Sequence, residues 1–319
     1  MHFADRLLTA IETKNAPVCV GLDPVVDRLP ASLLRTHGLD TASQQNKASP
    51  ASEAYRAACA AAIEDFCAQV LETVAPLVPA VKINIAFFEK FGPAGLAAYE
   101  RLVAKGRDTG LMVIGDVKRA DIGNTSAHYA DAHLEDTSAG QGPDAITINP
   151  YFGWDSVAPF VQVAQRKESG LFVLVQTSNP SAREVQDLPL EGGATVCQAV
   201  ARLVEGWACR EGMVGQRGFS SIGAVVSPRD VASTRLVREL MPHCLFLVPG
   251  FGAQGRTAEE VRNCFRSDGR GALIAASRSV LFAYGETAGK GHDDPHWQVA
   301  VRDACADLIA QVRAVVPRS

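Results

Sequence analysis

Two hydrophobic rhythms alternate along the chain. Short runs of apolar and β-branched residues recur eight times: "PVCVGLDP", "AVKINIAFF", "GLMVIGDVK", "AITINPYF", "GLFVLVQTSNP", "IGAVVSP", "LFLVPGFG" and "ALIAASR". Between them lie longer amphipathic patterns, which predict helices over 54–74, 94–105, 157–166, 195–210, 229–240 and 257–265. Strands that are apolar throughout are covered on both faces, and strands separated by helices run parallel. Eight such units predict an α/β protein, a single-domain (β/α)8 TIM barrel whose core spans about residues 17–284.

A typical barrel needs about 250 residues, so a chain of 319 has room for additions. Residues 35–55 are polar and weakly periodic, and are expected to be a surface insertion. Residues 183–195 follow the fifth strand, on the face where barrels keep their chemistry. A helical extension is expected over about 295–315. The opening "MHFADRLLTAIETKNAP" carries Asp5 and Glu12 inside its apolar pattern, so it reads as an amphipathic helix and not as a signal peptide.

Composition narrows the partners. With 47% hydrophobic residues the chain can bury a full core. A net charge of −4, with acids and bases interspersed, offers no broad basic field to a nucleic acid and no basic amphipathic helix to a membrane. No apolar run approaches the roughly 18 residues of a membrane span. A small-molecule substrate is expected. The eight cysteines form no C-x-x-C pair and predict buried free thiols, as in a reducing cytoplasm. The histidines match no zinc-helix spacing, and none is assigned a role.

Polar residues gather where the strands end. Asp23, Lys82 with Asn84, Asp116 with Lys118, Asn149, Ser178, Ser227, Gln254, and Ser277 with Arg278 stand at or just beyond the C-terminal ends of the apolar runs. Barrel active sites sit at that end. In "IGDVKRADIGNT", Asp116 and Asp121 flank Lys118, and strand alternation puts Asp116 and Lys118 on one face. Nearby carboxylates favour the ammonium form, which suits Lys118 to act as an acid and argues against a Schiff base. The ammonium also occupies the space and supplies the charge that a divalent metal would, so no metal is expected.

"PGFGAQG" presents Gly250, Gly252 and Gly255 in the spacing G-x-G-x-x-G. A dinucleotide fold would want an acidic residue at the end of the next strand. Asp268 instead precedes that strand. Loops after strands seven and eight commonly bind phosphate in barrels, and Arg278 offers a planar fork to phosphate oxygens. A phosphorylated substrate follows.

These segments, together with "KINIAFFEKFG", "GDVKRADIGNT", "TINPYFGWDS", "QTSNPSAREVQDL" and "ASRSVLFAY", resemble the blocks of orotidine 5′-phosphate decarboxylase, in its longer bacterial type, over most of residues 18–284. One departure is Ile83 in "KIN", where the family pattern has proline. The resemblance implies decarboxylation of orotidine 5′-phosphate to uridine 5′-phosphate, the last step of de novo pyrimidine nucleotide synthesis, with no cofactor. It implies that Lys118 protonates C6 of the pyrimidine while Asp116 lies beside the departing carboxylate. Lys82 would bridge Asp116 and a ribose hydroxyl, with Asp23 on the ribose and Asn84 beside them. Ser178 and Gln254 would address the base, and Gln254 and Arg278 the phosphate. Asp121, Ile122 and Thr125 would reach the partner's site in a homodimer. The other readings are a Mg²⁺-dependent sugar-phosphate lyase of the related barrel group and a nucleotide-binding regulator without catalysis. Retention of Lys118 disfavours the latter.

Overall fold

Eight parallel strands pair in chain order and close on themselves, β8 against β1. They are β1 (Val18–Leu22), β2 (Ala80–Asn84), β3 (Met112–Arg119), β4 (Ala145–Ile148), β5 (Gly170–Gln176), β6 (Ile222–Val226), β7 (Phe246–Pro249) and β8 (Ala272–Ala276). The structure is a computed structural model that describes residues 1–39, 52–251, 258–286 and 295–317.

Strand geometry sorts the side chains. One set of alternate residues, including Val18, Val20, Leu22, Val81, Ile83, Val113 and Val248, is buried against the surrounding helices. The other set points into the barrel. Its lower layers are Cys19, Ala80, Met112, Ile114, Ala145, Phe172, Leu247 and Leu273. This inside-and-outside burial explains why the strands lack a polar face.

The N-terminal helix, Phe3–Lys14, is amphipathic as expected, and it closes the lower end of the barrel. Phe3, Leu7 and Leu8 join the inward cluster, with the Phe3 ring edge-on to Phe172 at 6.0 Å. Gly170 is needed there, because a Cβ on it would stand 2.2 Å from the Phe3 ring. Truncating a buried phenylalanine of this kind costs about 3–5 kcal/mol.

The outer helices include Glu53–Val74, Pro93–Asp108, Trp154–Arg166, Val196–Ala208, Val231–Leu240 and Ala258–Arg262. Several start on side-chain caps. Ser52 accepts from the Tyr55 N–H, Asp230 from the Ser233 N–H, and Thr195 forms a capping box with Gln198. Helix Trp297–Val315 occupies the expected C-terminal extension, with Trp297 packed on Phe66.

Of the expected insertion at 35–55, its first residues belong to helix Ala31–Thr36 and its last to helix Glu53–Val74, while 40–51 lie outside the described residues. Residues 183–195 are more ordered than their polarity implied. They hold helix Arg183–Gln186 and a bridge between Pro189 and Thr195, and Arg229 ties Gln186 and Asp187 to the loop after β6. Seven of the eight thiols are buried, and Cys209 is exposed. No helix among the described residues is long and apolar enough to cross a membrane.

Candidate active site

The inward positions change character along each strand. On β2, Ala80 is followed by Lys82; on β3, Ile114 by Asp116; on β4, Ala145 by Thr147; on β5, Phe172 and Leu174 by Gln176. The lower layers are therefore packed core, and the upper layer is a buried polar floor under the mouth. Register brings it together: Gly21 stands opposite Lys82, and Asn84 opposite Asp116.

Asp116 is the centre of this floor. Its Oδ2 accepts from Lys82 Nζ at 2.6 Å, and its Oδ1 accepts from Thr147 Oγ1 at 2.9 Å and from Lys118 Nζ. Lys82 Nζ also lies 3.8 Å from Asp23 Oδ1. The floor is thus a run of alternating charges, Asp23, Lys82, Asp116 and Lys118. Only Lys118 is substantially exposed, with a side chain 48% accessible against 7% for Asp116.

Burial alone would raise the Asp116 carboxyl, but the Lys82 and Lys118 ammoniums outweigh it and hold the group well below the ordinary carboxylate range. Burial likewise opposes the charge on Lys82. Asp23 and Asp116 outweigh it and push that ammonium above the ordinary lysine value. Asp116 and Lys82 are therefore both charged near neutral pH. Cys19, in a lower layer, is pushed up to about 12 by burial and stays a neutral thiol.

Asp116 and Lys118 meet, though not by simple alternation. The β3–β4 register shifts between Gly115 and Arg119, which pair with Ile146 and Ile148. Within this bulge Lys118 takes a left-handed φ of 47°, and its backbone N–H donates to Thr147 Oγ1 at 3.0 Å. A non-glycine residue held there costs about 1–3 kcal/mol. The bulge turns the Lys118 ammonium back over Asp116, at the most exposed position of the charge run.

A cavity of about 170 Å³ adjoins this floor, lined by Gly21, Asp23, Lys82, Gly250, Ser277 and Arg278 among others. Gly21 lets β1 and β8 approach, since a Cβ there would stand 3.0 Å from Ser277 Cβ. Gly250, at φ 94°, supplies the turn after β7. Asp23 Oδ1 and Ser277 Oγ are buried in the wall without a hydrogen-bond partner among the described residues. The Arg278 side chain is exposed at the rim. The wall thus offers an acceptor, a hydroxyl and a guanidinium to a polar ligand.

Other expected residues lie apart from the charge run. Asn84 Oδ1 accepts from the Ala86 N–H at 3.2 Å, capping the turn after β2. Asp121 Oδ1 accepts from the Ile122 N–H at 2.8 Å, and its carbonyl accepts from Ser126 and Ser156. Among the described residues no ion pair joins Asp121 to Lys118, whose ammonium pairs with Asp116. Ile122, 59% accessible, and Thr125 face outward. Ser178 is half-buried just beyond β5. Gln254, Gly252 and Gly255 lie outside the described residues.

Sequence reasoning passed over two buried groups. Thr147 joins Asp116 to the Lys118 backbone; its signal was an inward polar residue in an otherwise apolar strand. Gln176 donates through Nε2 to the Ser227 carbonyl at 2.7 Å and sits one inward step before Ser178.

A closed eight-stranded barrel with an Asp–Lys floor and a guanidinium at the rim defines an enzyme class whose substrates are anions held at the strand ends. The family model for the "Orotidine 5′-phosphate decarboxylase / HUMPS family" matches residues 17–289. A relative from Rhodopirellula baltica named orotidine 5′-phosphate decarboxylase is 39% identical, across 98% of this chain and 99% of its own. Another of that name from Deinococcus radiodurans is 40% identical, across 91% and 93%. The solved structure of Leishmania donovani OMP decarboxylase superposes with a TM-score of 0.71 at 28% identity, covering 100% of both chains. The chain belongs to the orotidine 5′-phosphate decarboxylase / HUMPS family.

Proposed function

We propose that the protein decarboxylates orotidine 5′-phosphate to uridine 5′-phosphate without a metal, with Lys118 as the proton donor. The single observation that carries this reading is the run Asp23–Lys82–Asp116–Lys118, in which both Asp116 oxygens are taken by ammonium and hydroxyl donors.

Breaking the C6–carboxylate bond releases carbon dioxide and leaves the electron pair in the plane of the pyrimidine ring. No π system can absorb it there, so stabilisation must come from a fixed cation. Lys118 supplies that cation at the exposed end of the run. It then transfers a proton from Nζ to C6, giving uridine 5′-phosphate and a neutral amine that solvent reprotonates. Asp116 and Thr147 hold the lysine in place, which removes reorganisation from the reacting step. Lys82 balances Asp116, and with Asp23 it faces the ribose. Arg278 and the Gly250 turn receive the phosphate.

A dinucleotide or sugar-phosphate reading does not gain from this geometry. A Mg²⁺-dependent lyase would need free carboxylate oxygens, and Asp116 has both engaged by protein donors. The protein is further proposed to act in the cytoplasm, in keeping with its eight unpaired cysteines. We also propose a homodimer. Exposed Ile122, Tyr151 and Phe152 lie on the loops after β3 and β4, which the Ser156–Asp121 hydrogen bond ties together.

Orotidine 5′-phosphate added in the presence of EDTA, followed by ultraviolet absorbance, tests the activity. Loss of the orotate chromophore at undiminished rate is expected. Activity abolished by EDTA and restored by Mg²⁺ would transfer the protein to the sugar-phosphate lyases.

A further inference from the structure

Glu205, Cys209 and His243 form a cluster far from the mouth in the fold. Helix Val196–Ala208 follows β5 and returns to the start of β6, so Glu205 in its last turn and Cys209 at its cap lie at the lower end of the barrel. His243 lies in the turn that leads into β7, at that same end. The ligand atoms, Glu205 Oε1, Cys209 Sγ and His243 Nδ1, all lie within 4.8 Å of one another.

The spacing is that of a coordination polyhedron. Cys209 Sγ is 3.4 Å from Glu205 Oε1 and 3.4 Å from His243 Nδ1, and Nδ1 is 2.6 Å from Oε1. In tetrahedral zinc sites, Zn–S of about 2.3 Å and Zn–N or Zn–O of about 2.0–2.1 Å put sulfur about 3.5 Å from its neighbours and nitrogen about 3.3 Å from oxygen. Both sulfur edges match. The shorter third edge is a hydrogen bond, and exchanging its shared proton for a metal requires those atoms to part by less than about 1 Å.

The surroundings also orient the carboxylate. The His243 backbone N–H approaches both Glu205 oxygens at 3.4 Å, and the buried Cys244 thiol donates to Oε2 at 3.5 Å. Such outer contacts fix a carboxylate ligand without using its lone pair toward the metal. Cys209 is the exposed thiol among the eight, and the His243 side chain is 42% accessible, so a metal can enter and a fourth position faces solvent.

We propose that Glu205, Cys209 and His243 bind one Zn²⁺ ion, with solvent as the fourth ligand. Thiolate, imidazole and carboxylate together suit a borderline d¹⁰ cation over Mg²⁺ or Ca²⁺, which take oxygen ligands. Binding releases the Cys209 thiol proton to solvent, moves the proton shared by His243 Nδ1 and Glu205 to His243 Nε2, and staples the end of the fifth-unit helix to the turn before β7. The ion has no part in decarboxylation, which uses the opposite end of the barrel.

Titration of the metal-free, full-length protein with Co²⁺ tests the proposal, followed by competition with Zn²⁺. One equivalent is expected to give a near-ultraviolet thiolate-to-cobalt band and four-coordinate ligand-field bands, all displaced by Zn²⁺. Cys209→Ala should abolish the thiolate band and weaken Zn²⁺ binding at least about 100-fold. His243→Ala should weaken it similarly, with turnover of orotidine 5′-phosphate unchanged in both variants. Absence of the thiolate band in the parent protein, or parental Zn²⁺ affinity in Cys209→Ala, would overturn it. Should His243→Ala fold poorly, Cys209→Ala decides, because that side chain is exposed.

Discussion

Thr147 donates its hydroxyl proton to Asp116 Oδ1 at 2.9 Å, and its own Oγ1 accepts the backbone N–H of Lys118 at 3.0 Å. One side chain on β4 thus holds both the carboxylate and the strained backbone that aims the lysine. Thr147→Val keeps the shape and removes both hydrogen bonds. It is expected to lower kcat about tenfold, from the loss of about 1–1.5 kcal/mol, with binding of uridine 5′-phosphate changed little. Thr147→Ser should stay near the parent rate. A Thr147→Val enzyme with parental kcat would remove Thr147 from the positioning of Lys118.

Much of this arrangement was legible before the fold was known, because parallel barrel strands are apolar until they reach the mouth. Asp23, Lys82, Asp116 and Lys118 stood out as polar residues ending apolar runs. The route by which Asp116 meets Lys118 was not legible. Alternation alone joins them, but the actual contact needs a register shift and a left-handed lysine, and no residue in "GDVKR" signals a bulge. Thr147 was missed because a threonine within a strand reads as β propensity; only its inward parity with Ala145 marks it as functional. The helix of Phe3 was legible as amphipathic, but its seat under the barrel depends on Gly170, far away in sequence.

The paired charges set the pH behaviour. The Asp116 carboxyl is held below its unfolded value of about 3.9, so its pairing stabilises the fold above that pH and the contribution is lost as pH falls through the folded value. Lys82 is raised above its unfolded value of about 10.4, so its contribution is complete below that pH and is lost as pH rises through the folded value. Neither group should contribute an inflection to kcat/KM between about pH 5 and 9. Asp116→Asn should be less stable than the parent in urea at neutral pH, and the deficit should narrow below about pH 4. A deficit constant down to pH 2 would show that Asp116 is not held ionised.

Arg278 stands at the rim of the cavity, exposed and outside the hydrogen-bonded run Lys82–Asp116–Lys118, so its removal should separate binding from chemistry. Arg278→Ala is expected to raise KM for orotidine 5′-phosphate about 10–100-fold, the worth of charge-assisted hydrogen bonds to a phosphate. Turnover of orotidine itself, which lacks the phosphate, should be unaffected. Equal losses on both substrates would place the phosphate elsewhere.

Asp121 lies beyond the end of β3, and complementation between subunits tests whether it serves a neighbouring site. Lys118→Ala and Asp121→Ala chains, each inactive alone, can be mixed under conditions that allow exchange. In a two-fold dimer with shared sites, a mixed pair gathers both lesions into one site and leaves the other intact. Random pairing should restore about a quarter of all sites. A mixture that stays inactive, with exchange confirmed on tagged chains, would assign Asp121 to its own barrel.

In the proposed mechanism the Lys118 ammonium, and no metal, carries the decarboxylation. The direct measurement is kcat on orotidine 5′-phosphate in EDTA for the parent and for Lys118→Ala, alongside the dissociation constant of uridine 5′-phosphate for each. The parent should turn over fully in chelator. Lys118→Ala should be slower by at least about a thousandfold, the scale of a lost general acid together with its charge, while product binding changes only a few-fold. A Lys118→Ala rate within tenfold of the parent, or a parent that is inactive until Mg²⁺ is added, would contradict this mechanism.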